Sequence, residues 1–330
     1  MPVSIKDIAK QVGVSPSTVS RALNDHPRIS GETKANIKEL ARTMGYVPSV
    51  IARSLVARQT ATIGVAITDV HDPYYADSVF GIEEEAAKHN YQVMLSSFYR
   101  DPERELAVVY DFHRRRLDGI IITGSYMNQV YLSSDSNFFL PIVVINSPNY
   151  PYSISVDRQQ GTRQIIEHLL DLGHQRIAHV TQLKDGLERL YNYRTLLEEF
   201  GIAVDESLIV AGDGTIAGGI KAAPQLLDLP NPPTAIFCFN DLTAIGVINA
   251  LRKRGLDVPG DISVVGFDDL EMAAYYCPAL TTVKQPTHHL GQRSVQILLK
   301  LMGGEKNIEP EIVPPEFIIR ESTGPAVSGA

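Results

Sequence analysis

Residues 4–24 read Ser4-Ile5-Lys6-Asp7-Ile8-Ala9-Lys10-Gln11-Val12-Gly13-Val14-Ser15-Pro16-Ser17-Thr18-Val19-Ser20-Arg21-Ala22-Leu23-Asn24, and capping and periodicity place two helices in them. Ile5, Ile8, Ala9 and Val12 recur at i, i+3, i+4 and i+7, with Ser4 placed to cap the first turn and Gly13 to end it. After the Gly13-Val14 turn, Ser15 caps a second helix whose first position is Pro16, where a missing N–H costs nothing. That helix runs to about Asn24. It turns Val19, Ala22 and Leu23 inward and leaves Ser17, Thr18, Ser20 and Arg21 toward solvent or a partner. A third helix begins near Ser30, buries Ile37, Leu40, Ala41 and Met44, and stops at Gly45. Two helices joined by a short glycine-containing turn form a helix-turn-helix, whose second helix presents its N-terminal side chains to base edges in the major groove. Serine and threonine can reach phosphates or bases at close approach, and arginine can bridge guanine O6 and N7.

Charge supports the same assignment. The chain has 330 residues and a net charge of -8, yet residues 1–60 carry +5 and the remainder -13. A small basic segment on a large acidic body meets a polyanion at one end only. The length suggests about two domains, and 44% apolar with 21% charged residues is ordinary for a folded protein. No apolar run approaches the ~18 residues of a membrane span, and the start is polar where a secretory signal would be apolar. Cys238 and Cys277 are the only cysteines, so a disulfide framework is excluded and a cytoplasmic location is expected.

From Thr62 short apolar runs alternate with amphipathic segments, the sign of a parallel sheet covered by helices. The runs are TIGVAIT, YQVMLSS, GIIIT, PIVVIN, RIAHV, TAIFCF and ISVVGF. They outnumber the strands of one ordinary open sheet, so two α/β lobes are expected. The expected division is a helix-turn-helix head over 1–47, a linker over 48–61, and a two-lobed domain over 62–321. The chain should cross between lobes near 157–161, 285–291 and 314–318. The Gly/Ser/Pro/Ala-rich segment 322–330 reads as a disordered tail.

Several segments then resemble one family. Ile5-Lys6-Asp7-Ile8-Ala9, Val12-Gly13-Val14-Ser15, Thr18-Val19-Ser20-Arg21, Gly45-Tyr46 and Ala52-Arg53-Ser54-Leu55 are similar to the heads of lactose/galactose-repressor-type (LacI family) regulators. The similarity continues through Asn240-Asp241, Gly266-Phe267-Asp268-Asp269 and Pro278-Ala279-Leu280-Thr281-Thr282-Val283. It implies an all-α helix-turn-helix head joined to an α/β domain of the periplasmic-binding-protein type, with parallel sheets flanked by helices. It also implies a homodimer on a pseudo-palindromic DNA operator, controlled by a small-molecule effector and without a cofactor. The positions after the turn serine that help choose the base sequence are Pro16 and Ser17, so readout should lean on Ser17, Thr18, Ser20 and Arg21, beside Asn24. Helix starts at Ser4, Ser15 and Ser30 are expected to hold phosphates. Tyr46 is open between a backbone contact and packing. Ser49 to Ala57 resembles the family's hinge helix, with Ser49 and Ala52 at the DNA, Leu55 as a minor-groove wedge and Arg53 either supporting the groove or sitting in solvent.

For the effector, ligands of open α/β sheets sit beyond the strand C-termini. Tyr74 and Tyr75 follow the first strand, Asp157 lies at the lobe boundary, Asn240 ends TAIFCFN and Asp268 ends VVGFD. Arg194 matches the family's effector-contacting arginine, and Gln285 is added as a crossover residue. Carboxylates, an amide and a guanidinium around an aromatic wall suit a sugar or polyol. Several sugar-responsive members carry an aromatic residue where this chain has Gly214, which puts that ligand class in doubt and leaves a nucleobase or an anionic metabolite open.

Two rival readings stand beside this one. Gly212-Asp213-Gly214-Thr215-Ile216-Ala217 satisfies G-x-G-x-x-A, the pattern of a nicotinamide-dependent enzyme, but it sits mid-chain and the acid expected ~20 residues later is missing. A cytoplasmic solute-binding protein with a vestigial head is the other. The nine histidines form no metal-ligand spacing, and no G-x-S-x-G, P-loop or HEXXH pattern supplies a nucleophile or phosphate cradle.

Overall fold

The computed structural model describes residues 3–47, 59–132, 140–182 and 187–327. Ser49, Ala52, Arg53 and Leu55, and with them the expected hinge helix, lie outside the described residues. The chain divides into two compact units, Met1–Thr60 and Ala61–Ala330.

The first unit holds α1 (Ile5–Val12), α2 (Pro16–Leu23) and α3 (Gly31–Thr43). Each start is fixed locally. Ser4 donates its N–H (2.9 Å) and its hydroxyl (2.6 Å) to the Asp7 carboxylate, while Ser15 and Ser30 accept from the N–H groups of Thr18 and Thr33 at 3.1 and 3.2 Å. Such caps satisfy helix-start donors that have no intrahelical partner. All three helices turn their apolar stripes onto one small core of Ile8, Ala9, Val19, Ala22, Ile37 and Ala41, with Tyr46 packed at its edge.

The second unit opens with β1 (Thr62–Ile67), α4 (Pro73–Lys88), β2 (Gln92–Ser97), α5 (Pro102–Arg114), β3 (Gly119–Thr123), α6 (Asn128–Leu132), β4 (Ile142–Ile145) and β5 (Ser153–Val156). The chain then builds a second lobe: α7 (Arg158–Asp171), β6 (Ile177–Gln182), α8 (Leu187–Glu199), β7 (Ile209–Gly212), α9 (Ile216–Leu227), β8 (Ala235–Cys238), α10 (Asp241–Lys253), β9 (Ser263–Val265), α11 (Glu271–Tyr275) and β10 (Thr282–Lys284). It returns to the first lobe for α12 (Thr287–Met302) and β11 (Glu311–Val313), and ends in the second with β12 (Glu316–Ile318). The first sheet runs β11-β5-β4-β3-β1-β2, the second β7-β6-β8-β9, and every pair in both is parallel. β10 and β12 pair antiparallel.

Helices cover both faces of these sheets, which is why β3 and β4 are continuous apolar runs with no exposed residue. α12 belongs to the first lobe because it packs on α4 at backbone contact. A side chain at Gly81 would meet the His288 carbonyl at 2.2 Å, and one at Gly291 the Ser78 carbonyl at 2.1 Å.

The expectation of a disordered tail is corrected over 322–327. Val264 N–H donates to the Ser322 carbonyl (2.8 Å) and Ala326 N–H to the Leu172 carbonyl (2.8 Å). His174 Nε2 sits 3.0 Å from the Gly324 carbonyl. A segment poor in apolar side chains is held here by backbone pairing, which composition does not report.

Candidate functional site

In the head, Pro16, Ser17 and Arg21 of α2 are exposed and Thr18 and Ser20 half-buried, while Val19 and Ala22 are buried beneath them. The hydroxyls are hydrogen-bonded to one another: Ser15 Oγ lies 2.7 Å from Ser17 Oγ and 2.9 Å from Thr18 Oγ1. Asn24 donates its amide to the Ser20 carbonyl at 2.9 Å, which closes the end of α2. Lys38 is paired with Asp25 at 2.6 Å and Arg42 with Glu39 at 2.6 Å. The guanidinium of Arg21 and the ammonium groups of Lys6 and Lys10 form no ion pair among the described residues. Tyr46 is half-buried and packs on the head core.

In the second unit, a cavity of about 210 Å³ lies between the lobes. That is small beside the ~300–1,000 Å³ of drug-sized ligand sites. Both lobes line it. β1, β2, β3 and β4 of the first lobe deliver Asp72, Tyr74 and Tyr75, Arg100, Ser125 and Tyr126, and Asn146 just past their C-terminal ends. The second lobe contributes Arg158, Glu188, Arg189, Phe239, Asn240 and Asp268, and Gln285 stands at the crossover.

A hydrogen-bond chain spans the lobes. Asn146 donates to the Tyr74 hydroxyl (2.6 Å), Tyr74 donates to Gln285 Oε1 (3.3 Å), and Gln285 Nε2 donates to Asp268 Oδ1 (2.6 Å). Burial pushes the Tyr74 phenol up to about 12, so it stays a donor at neutral pH. Three guanidinium groups face three carboxylates. Arg158 meets Glu188 at 2.9 Å, Arg100 meets Asp72 at 3.8 Å, and Arg189 meets Asp268 at 3.9 Å. Burial lowers Arg189 to about 10 against the pull of Asp268, and burial also raises the Asp268 carboxyl well above its usual range. Burial alone would lower Arg158; Glu188 and Tyr74 outweigh it and hold the guanidinium above its ordinary value. Arg189 is gripped rather than loose. Its guanidinium lies 3.8 Å from the Phe267 ring centre and 4.5 Å from that of Phe239, and Nη1 donates to the Phe239 carbonyl.

Tyr74, Tyr75, Asn240, Asp268 and Gln285 are thus brought together as the sequence suggested. Two expected residues are not. Arg194 pairs with Glu206 at 2.7 Å on the outer side of α8, half-exposed. The α8 arginine that lines the cavity is Arg189, five residues earlier and about 140° around the helix at 3.6 residues per turn. Asp157 accepts from the Gln160 N–H at 2.8 Å and caps α7; its neighbour Arg158 lines the cavity instead. Arg100, Ser125 and Asn146 obey the same strand-end rule past β2, β3 and β4 but do not figure among the residues expected from sequence. Among the described residues no group of His, Cys, Asp and Glu could hold a metal ion, and no helix is long and apolar enough to cross a membrane.

The arrangement has counterparts in known proteins. The profile for bacterial regulatory proteins of the lacI family matches residues 4–49, and that for a periplasmic binding protein-like domain matches residues 166–323. The HTH-type transcriptional regulator DegA of Bacillus subtilis is 36% identical over 98% of this chain and 99% of its own. The chain belongs to the LacI family. The catabolite control protein A of Priestia megaterium is 33% identical over 98% of this chain and all of its own. The crystal structure of the lac repressor dimer bound to operator and the anti-inducer ONPF superimposes with a TM-score of 0.90 at 30% identity, covering 98% of this chain and all of that one. A LacI-family chain of this kind is a DNA-binding transcriptional regulator and not an enzyme. The Gly212–Ala217 loop accordingly serves the fold: Asp213 and Thr215 are hydrogen-bonded at 2.6 Å, and Thr215 caps α9 through the Gly218 N–H at 3.1 Å.

Proposed function

We propose that this regulator is a cytoplasmic repressor that acts as a homodimer on a pseudo-palindromic operator and is controlled by a sugar or polyol bound between its lobes. The carrying observation is that the cavity draws polar groups from both lobes and holds two of its charge pairs at 3.8 and 3.9 Å. A hydroxyl accepts from an arginine and donates to a carboxylate at once, so a ligand hydroxyl inserted there serves both partners. Occupancy would change how the lobes close, since the chain from Asn146 to Asp268 runs through the same space. Coupling of this kind is typically about 1 to 3 kcal/mol, roughly 5- to 150-fold in operator affinity.

Each head offers one short recognition helix. Two heads related by a two-fold axis read half-sites about one DNA turn apart. Ser17, Thr18, Ser20 and Arg21 reach base edges, and the helix starts at Ser4, Ser15 and Ser30 hold phosphates. Leu55, within the segment that resembles the hinge helix, is assigned to the minor groove, with Ser49, Ala52 and Arg53 beside it. Support comes from the exposed face of α2 and from the whole-length similarity already described.

Selection from a random duplex pool tests the reading. A palindromic consensus should emerge, its affinity should fall steeply with salt, and sugars or polyols should shift it. A pool that shows no enrichment, with or without those ligands, would refute the proposal.

A further inference from the structure

Arg100 owes its place in the cleft to an unusual backbone. It follows β2 in a turn where two consecutive non-glycine residues, Tyr99 and Arg100, hold φ of 51° and 59°. Such conformations persist only where the surroundings over-determine them. Here the flanks do so: Phe98 is fully buried, Arg104 lies 4.4 Å over the Tyr99 ring, and Asp101 caps α5 by accepting from the Glu103 N–H at 2.9 Å. The turn delivers a long cation into the cleft, its side chain 21% exposed, where an arginine on a surface loop would ordinarily extend into water.

The guanidinium reaches the opposite lobe at Gly214. That residue has φ +78°, and a side-chain carbon placed on it would lie 3.8 Å from Arg100 Nη2 and 3.7 Å from the Phe239 ring. A bulky side chain at 214 would take the space that the guanidinium borders. The charges nearby are unevenly available. Glu188 sits half-exposed at the rim and is hydrogen-bonded to Arg158. Asp72 spends one oxygen capping α4 through the Tyr74 N–H at 3.1 Å, and Asp268 spends one on Gln285. Asp268 also faces Arg189 at 3.9 Å, so both carboxylates have protein donors of their own while the Arg100 guanidinium borders the space beside Gly214.

We propose that the effector is a hydroxylated ligand bearing one oxyanion, a carboxylate or a phosphate, and that Arg100 is the specificity-determining residue that holds this oxyanion beside Gly214. The proposal rests on the reading of the cavity as the effector site and narrows its ligand class. A planar guanidinium suits either oxyanion through paired N–H donors.

Isothermal titration of the full-length protein with D-gluconate, D-glucose 6-phosphate, D-glucose and D-sorbitol tests it. At least one anionic probe should bind tenfold or more tightly than both neutral probes. Arg100→Gln should reduce that preference to about twofold or less, and Arg100→Lys should restore part of it. Gly214→Phe should also erase the preference. A wild-type circular dichroism spectrum for Arg100→Gln, together with recovery in Arg100→Lys, separates loss of the oxyanion contact from loss of fold. Neutral probes binding as tightly as the anionic ones, or an anionic preference that survives Arg100→Gln, would overturn the inference and leave the polyol reading standing. Silence from all four probes would overturn both. Inorganic phosphate binding as tightly as D-glucose 6-phosphate would overturn the requirement for a hydroxylated ligand.

Discussion

The head and the cleft solve opposite problems with similar side chains. In the head, Ser17, Thr18, Ser20 and Arg21 stand on a single two-turn helix, and the partner proposed for them lies outside the protein. In the cleft, Arg100, Arg158 and Arg189 come from three separate elements and face inward toward carboxylates. Exposed groups need only a rigid local scaffold, because water satisfies them until a ligand arrives. Buried charges need partners at all times, since an unpaired one in low dielectric is strongly unfavourable. The head can therefore be specified by contiguous sequence, whereas the cleft needs the whole fold.

That contrast can be broken or sharpened by substitution, beginning with Arg189→Ala. Removing one partner of a buried pair costs about 3 to 5 kcal/mol, so the two-lobed unit should melt markedly earlier and the effector response should vanish. Calorimetry showing a wild-type transition would mean that Asp268 does not depend on Arg189. Arg21→Ala should leave melting unchanged yet cost about 1 to 3 kcal/mol of specific DNA binding. If discrimination between operator and random duplex were preserved in a competition gel shift, Arg21 would be removed from base readout. Asp157→Ala deletes a helix cap and should lower stability by about 0.5 to 2 kcal/mol with ligand affinity intact; a selective loss of ligand binding would return Asp157 to the cavity. Arg194→Ala is expected to be nearly silent, within about 1 kcal/mol, as for exposed ion pairs generally. An abolished effector response in that variant would show that α8 uses a different face from the one described.

The two corrections on α7 and α8 have a common cause. Periodicity identifies a helix and a family resemblance identifies a neighbourhood, but which face turns inward depends on what the helix packs against. Arg189 and Arg194 share a charge and a helix, but Arg189 packs on Phe239 and Phe267 while Arg194 pairs with Glu206. Asp157 and Arg158 are adjacent in sequence, and the α7 N-terminus claims the carboxylate before the cavity can. At 322–327 the same limit applies to backbone groups: low apolar content suggested disorder, while the donors and acceptors at Val264, Leu172 and His174 were waiting to be paired.

Residues in sequence order were enough to establish the head, its capped helices and the alternation of strand and helix that follows, because caps and apolar patterning are set by residues a few positions apart. A family likeness along the whole length was legible for the same reason, being written in contiguous motifs. The cavity's composition was settled only in three dimensions. Tyr74 and Gln285 touch across 211 positions, and no local pattern encodes a contact of that reach. It exists because parallel strands align their C-terminal ends, and the residues just beyond those ends are gathered from every part of the chain.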